Sequence, residues 1–122
     1  MRLYFNPQCS KSRAARRRIE AGGHAVEIID YRAAPPDTAT LRALLDALDD
    51  SPAALVRRDE DGFARFDDGR PLDRERVIEV LRAAPALLQR PILVVGRRAV
   101  IARPPERVYE LLPEPTQDAP LS

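Results

Sequence analysis

The sequence predicts an α/β fold in which a β-α-β half and a C-terminal half of β-hairpin plus helix flank a helical insertion. Three observations predict it. Two short apolar runs, Leu3 to Phe5 and Ala25 to Tyr31, bracket an Ala- and Arg-rich segment of helical length. Leu41, Leu44, Leu45 and Leu48 recur at i, i+3, i+4 and i+7, which puts four side chains on one helical face. Ile92 to Val95 and Arg98 to Ala102 are separated only by Gly96-Arg97, the length of a two-residue hairpin turn.

The first strand should end at Asn6-Pro7, because proline fixes φ and removes a donor. That leaves Cys9 just beyond a strand, at the mouth of a helix running from Ser10 to about Gly22. Ser10 or Ser12 is available as its cap and Gly22-Gly23 as its stop. The second strand closes at Pro35-Pro36. Asp37 or Thr38 can cap the leucine-faced helix. Ser51 to about Arg58 reads as a short helix, and Asp59 to Arg70 as a polar loop anchored by Phe63 or Phe66. Asp73 can cap the next helix, where Val77, Ile78, Leu81 and Ala84 again follow helical spacing up to Pro85. Arg90-Pro91 introduces the third strand, and Gly96 stands where a type II′ turn needs glycine. A last helix should follow Pro104, carrying Val108, Leu111 and Leu112.

At 122 residues the chain fits a single domain, expected over 1–113, with 114–122 having the composition of a disordered tail. The net charge of +1 offers no strong pull on nucleic acid or anionic lipid, so neither is expected as a partner and any anion site must be local. No window approaches the roughly 18 consecutive apolar residues of a membrane span, and the start has no apolar signal core. A cytoplasmic location is therefore expected, with no membrane association. His24 reads as a surface loop residue and Arg16-Arg17-Arg18 as a solvated helix face, because the run spans more than half a turn.

Cys9 is the only cysteine, so it is either a small buried hydrophobe or a nucleophile. Its place among polar residues after Asn6-Pro7 favours the nucleophile. A free thiol is only a few per cent thiolate at neutral pH and needs positive potential to act. The first turn of a helix supplies that potential through unpaired N–H groups and the macrodipole. Ser10, Lys11 and Ser12 add donors there. With no second thiol in the chain, an oxidised Cys9 or its adduct must be resolved by a thiol from outside.

The run LYFNPQCSKSR, then LVRRDEDG with Arg57, LQRPILVV with Arg90-Pro91 and VIARPPERV with Arg103, resembles the glutaredoxin-coupled arsenate reductase (ArsC) family over roughly residues 2 to 112. The resemblance implies a thioredoxin-like fold and attack by the Cys9 thiolate on arsenate. It implies an oxyanion clamp of Arg57, Arg90 and Arg103, with the register between Arg57 and Arg58 open. Arginine suits that role, since it stays charged and its planar fork pairs with tetrahedral oxyanions. Asn6, Ser10, Lys11, Ser12 and Pro91 complete the implied substrate-binding set, Pro91 as a cis-proline whose flanking backbone would pair with glutathione. Glutathione would be the co-substrate and glutaredoxin the protein partner, with arsenate or a similar oxyanion as substrate and no bound metal or cofactor.

The pattern departs from the family at Phe5, where closer arsenate reductases usually carry a histidine that can tune the thiolate. This keeps open a related glutathione-dependent thiol oxidoreductase acting on another substrate, and a catalytically idle family member. An Spx-type regulator that binds RNA polymerase is the remaining alternative. It is weakened by Ser12, which stands where those proteins carry the second cysteine of a Cys-x-x-Cys switch.

Overall fold

A computed structural model describes residues 1–113. The tail expected over 114–122 lies outside the described residues. β1 (Arg2–Phe5), α1 (Ser10–Ala21) and β2 (Glu27–Asp30) form the first half, α2 (Thr38–Ala47) and α3 (Arg74–Ala83) lie in the insertion, and β3 (Ile92–Val95) and β4 (Arg98–Ile101) form the hairpin. The four strands order as β2-β1-β3-β4, with β1 parallel to β2 and antiparallel to β3, and β3 antiparallel to β4. This is the thioredoxin-like sheet implied by the sequence. Only the β1–β2 pair is parallel, so only it needs a crossover, and α1 supplies it.

Alternation along the strands builds two cores on opposite faces of the sheet. Leu3, Phe5, Leu93, Val100 and Ala102 pack against Ala15 and Ile19 of α1 and Val108 near the C-terminal end. Tyr4, Ile92, Val94, Ala99 and Ile101 face the other way, onto Leu41, Leu44, Leu45 and Leu48 of the α2 segment and Val77, Ile78, Val80 and Leu81 of α3. The leucine stripe predicted from spacing is the buried face of α2.

Local signals set most boundaries. Asp37 Oδ1 accepts from the Thr40 N–H and Asp73 Oδ1 from the Arg76 N–H, so both expected aspartates cap their helices. The stop of α1 is a Schellman motif: Gly23 at φ 80° lets its own N–H reach Glu20 O and the His24 N–H reach Ile19 O. Gly96 takes φ 60°, and among the described residues no non-glycine has positive φ, which leaves Arg97 at negative φ as a type II′ turn requires.

Three expectations need correction. The segment after Pro104 is a 3-10 helix over Pro105–Glu110 rather than an α-helix. Bounded by prolines at both ends it has too few residues to establish the i to i−4 ladder, and i to i−3 bonds such as Arg107 N–H to Pro104 O take its place. The helix read over Ser51 to Arg58 shrinks to a 3-10 turn at Pro52–Leu55, and the polar loop after it contains another at Asp61–Phe66, with Phe63 its buried anchor. Neither Ser10 nor Ser12 caps α1, because the N-cap position is Cys9 itself.

Candidate active site

Asn6 sets the entry to the site. Its buried side chain accepts the Gln8 N–H at 2.9 Å and its carbonyl accepts the Cys9 N–H at 2.9 Å, folding the Asn6-Pro7-Gln8 turn back under the cysteine. The Cys9 carbonyl then accepts from the Arg13 N–H at 3.1 Å and starts α1. Arg13 closes the turn from outside by donating to Pro7 O at 2.8 Å. Asn6 therefore shapes the loop, and its Oδ1 is committed to the Gln8 N–H.

Cys9 is partly exposed, as a nucleophile has to be. Burial alone pushes its thiol pKa up, but the Ser12 N–H, the Ser12 hydroxyl, the Arg90 guanidinium and the Lys11 N–H together outweigh burial and bring it from 9.0 down to about 7. These donors surround the sulfur more loosely than a full capping bond, since no side-chain cap hydrogen bond of ordinary geometry forms. Ser12 is completely buried, and its Oγ accepts from the Asn6 N–H at 3.3 Å. Its acceptor side is thus occupied and its proton is left for the sulfur. Ser10 and Lys11 are exposed in the same turn.

Arg90 reaches this site from the strand beside it, because β1 and β3 are neighbours and Arg90 precedes β3 as Cys9 follows β1. Its Nε is buried with no partner. An orphaned buried donor is costly; beside a nucleophile, an anion can satisfy it. The Arg90-Pro91 peptide is cis, as the resemblance implied, and so is Arg103-Pro104. Arg103, following β4, folds back so that its Nη1 donates to the Arg90 carbonyl at 3.1 Å. The backbone beside Pro91 is engaged within the chain: the Arg90 N–H meets Gln89 Oε1 at 3.3 Å and the Pro91 carbonyl accepts the Ala102 N–H at 2.8 Å.

Arg57 and Arg58 part company. Residues 55–57 run against 87–89, with Arg57 N–H bonded to Leu87 O and Gln89 N–H to Leu55 O, both at 2.8 Å. Along this extended segment Val56 and Arg58 point into one cleft with Gln89 and Arg103. Arg57 does not line that cleft and pairs instead with the Glu60 carboxylate. The structure thus groups Cys9, Ser12, Arg90 and Arg103, and leaves Arg57 held by an acidic neighbour. Phe5 is core, packed with Leu3, Ala15 and Ile19, and the Arg16 guanidinium lies 5.7 Å over its ring. His24 lies half-buried in the turn after α1. Among the described residues no cluster of three or more His, Cys, Asp or Glu could hold a metal ion. No helix among them is long and apolar enough to cross a membrane.

Sequence reasoning did not single out Gln89, whose side chain caps the Arg90 N–H, or Arg107, which pairs with Asp50 and Glu110 near Arg103. Position beside Arg90 was the only available signal for Gln89, and Arg107 carried none.

Comparison with known proteins agrees with this architecture. The model of the ArsC family matches residues 4–111. The chain is 37% identical to the YfgD protein of Escherichia coli K12 over 92% of its own length and 96% of the relative's. It is 32% identical to an arsenate reductase of Neisseria meningitidis, over 92% and 97% of the two lengths. The structure of an arsenate reductase from Vibrio cholerae superimposes with a TM-score of 0.84 at 32% identity, covering 92% of this chain and 98% of that one. By the span of the match and the shared fold, this chain belongs to the ArsC family.

Proposed function

We propose that the protein is a thiol-dependent arsenate reductase whose nucleophile is Cys9. The observation that carries the reading is the lowered thiol of Cys9 at the start of α1 with the Arg90 guanidinium beside it. A thiol lowered in this way supplies thiolate near neutral pH, and an oxyanion can share the same donors. The arsenate reductases among its relatives supply the substrate.

In this reading the Cys9 thiolate attacks the As(V) of hydrogen arsenate and an oxygen leaves as water or hydroxide, giving a Cys9 thiol-arsenate ester. Arg90 and Arg103 hold the remaining oxygens, and Arg57 joins them on leaving Glu60. Ser10, Lys11 and Ser12 add donors from the helix turn, and Pro91 stands next to Arg90. A glutathione thiolate then attacks the Cys9 sulfur. The As–S electron pair goes to arsenic, As(V) becomes As(III), arsenite leaves, and Cys9 is held as a mixed disulfide. Glutaredoxin's thiolate attacks the glutathione sulfur of that disulfide and frees Cys9. The external thiol is required because the chain has no second cysteine. The cytoplasm, whose thiol pool is kept reduced, is the setting that suits such a cycle.

The test is arsenate-dependent NADPH oxidation in a system coupled through glutathione, glutaredoxin and glutathione reductase. Turnover in the wild type and none in Cys9→Ser is expected. Equal rates in the two would remove Cys9 from the mechanism. Absence of turnover in the wild type, with Cys9 still reactive, would favour the second reading, a different oxyanion or disulfide substrate. The specific support for that reading is Phe5, a buried core ring with no proton to offer the site.

A further inference from the structure

A cleft of about 470 Å³ has Val56, Arg58, Asp59, Gln89, Arg103 and Arg107 among its lining. We propose that this cleft binds the reducing thiol, and that it recognises a small peptide thiol with two carboxylates and one ammonium, the chemistry of glutathione, through side chains rather than through the backbone at Pro91. The inference rests on the function proposed above, which requires a thiol from outside, and adds where that thiol docks and what selects it.

The backbone route is largely closed. The Arg90 N–H is met by Gln89 Oε1, the Arg90 carbonyl by Arg103 Nη1 and the Pro91 carbonyl by the Ala102 N–H. A peptide laid against this segment would have to compete with all three. The side chains of the cleft offer what the backbone does not. Arg107 is neutralised by Asp50 at 3.6 Å and Glu110 at 2.8 Å. Among the described residues Arg58, Arg103 and Asp59 form no ion pair. Two guanidiniums and one carboxylate thus remain uncompensated, the mirror of two carboxylates and one ammonium. Gln89 has its oxygen committed to Arg90, which leaves its amide N–H₂ to donate to a peptide carbonyl. The cleft is also connected to the chemistry: Arg103, in its lining, donates to the carbonyl of Arg90, whose side chain is among the groups that favour the Cys9 thiolate.

The probe is S-methylglutathione, which keeps every recognition group and cannot react. Titrated into the isotope-labelled full chain and followed by NMR, it should give saturable shifts at Arg58, Gln89 and Arg103. Arg58→Glu and, separately, esterification of the probe's two carboxylates should each weaken binding about tenfold or more, the scale of a lost charge-assisted contact. Arg58→Ala, which adds no repulsion, should fall between. In turnover, Arg58→Ala, which leaves Arg103 without a new acidic neighbour, should raise KM for glutathione several-fold, while KM for arsenate and the rate with the uncharged thiol dithiothreitol stay unchanged. No saturable shift at these residues, or equal binding by the ester and by the Arg58→Glu chain, would overturn the proposal. A chain that binds the probe as described yet never reduces arsenate would retain the docking site and lose the arsenate assignment, so the two failures are distinct.

Discussion

Arg103 Nη1 donates to the carbonyl oxygen of Arg90 at 3.1 Å, joining the residue after β4 to the residue before β3 across the end of the sheet. The contact anchors the Arg103 guanidinium to the backbone of Arg90 before any oxyanion arrives. Most of the ordering entropy of Arg103 is therefore already spent in folding, and what remains of its donor fork can be given to a ligand.

Replacing Arg103 by Ala should lower kcat/KM for arsenate by roughly 10- to 150-fold, the equivalent of a charge-assisted contact of about 1.5–3 kcal/mol. Arg103→Lys should recover only part of this, because an ammonium can meet the Arg90 carbonyl or the oxyanion as a point charge but cannot bridge both with a planar fork. Steady-state kinetics beside a thermal melt checks it. Full activity in Arg103→Ala would show that Arg103 supports the loop alone.

Cys9 should react with iodoacetamide along a titration curve centred near pH 7. The sign follows from the thiolate being the reactive form: its pKa is lowered, so the rate climbs as pH rises through about 7 and is lost below it. Arg90→Ala removes one of the donors that hold the thiolate, so its curve should move to higher pH and its rate at pH 7 should fall. A curve that does not move in Arg90→Ala would remove Arg90 from the thiol's environment.

Ser12→Ala tests the opposite face of the same site. Ser12 is fully buried and its Oγ is the partner of the Asn6 N–H. Its loss strands that donor and should cost about 1–3 kcal/mol of stability, while the Cys9 titration shifts upward for want of the hydroxyl donor. Denaturant unfolding and the alkylation profile, measured together, separate this double effect from a purely structural one.

Where one physical signal acted alone, the sequence could be read. Periodicity placed the buried face of α2, Asp37 and Asp73 fixed two helix starts, and Gly96-Arg97 fixed the hairpin. The segment after Pro104 was misjudged because apolar spacing at Val108, Leu111 and Leu112 fits an α-helix or a 3-10 helix over so few residues, and only proline-bounded length decides. At the site, Cys9 could be singled out from local context, whereas Arg90 and Arg103, each beside a strand end, were singled out through the family resemblance. Arg57 and Arg58 could not be told apart, since their facing depends on pairing with residues 87–89, some thirty positions away, and on the nearby Glu60. Arg76 escaped notice for a similar reason: it is buried, and it pins the 3-10 turn through Phe66 O and Asp68, a contact no helical pattern announces.

Cys9→Ser should abolish turnover and yet fold more stably than the wild type. Cys9 occupies the N-cap of α1 and forms no side-chain cap bond, so the first turn's N–H groups lack the partner that a good cap residue provides. Serine is among the favoured N-cap residues, and its smaller, stronger acceptor can take the Ser12 or Lys11 N–H that now only leans on sulfur. The expected gain is about 0.5–1 kcal/mol, read as a higher denaturation midpoint at unchanged slope. The opposition is physical. The same uncapped N–H groups that would stabilise the helix if satisfied are the ones that lower the thiol and face an incoming oxyanion, so a site optimised for stability here would have nothing left to offer its substrate. A Cys9→Ser chain less stable than the wild type would mean that the sulfur packs as a hydrophobe, and the N-terminal turn would lose its claim to be the activating element.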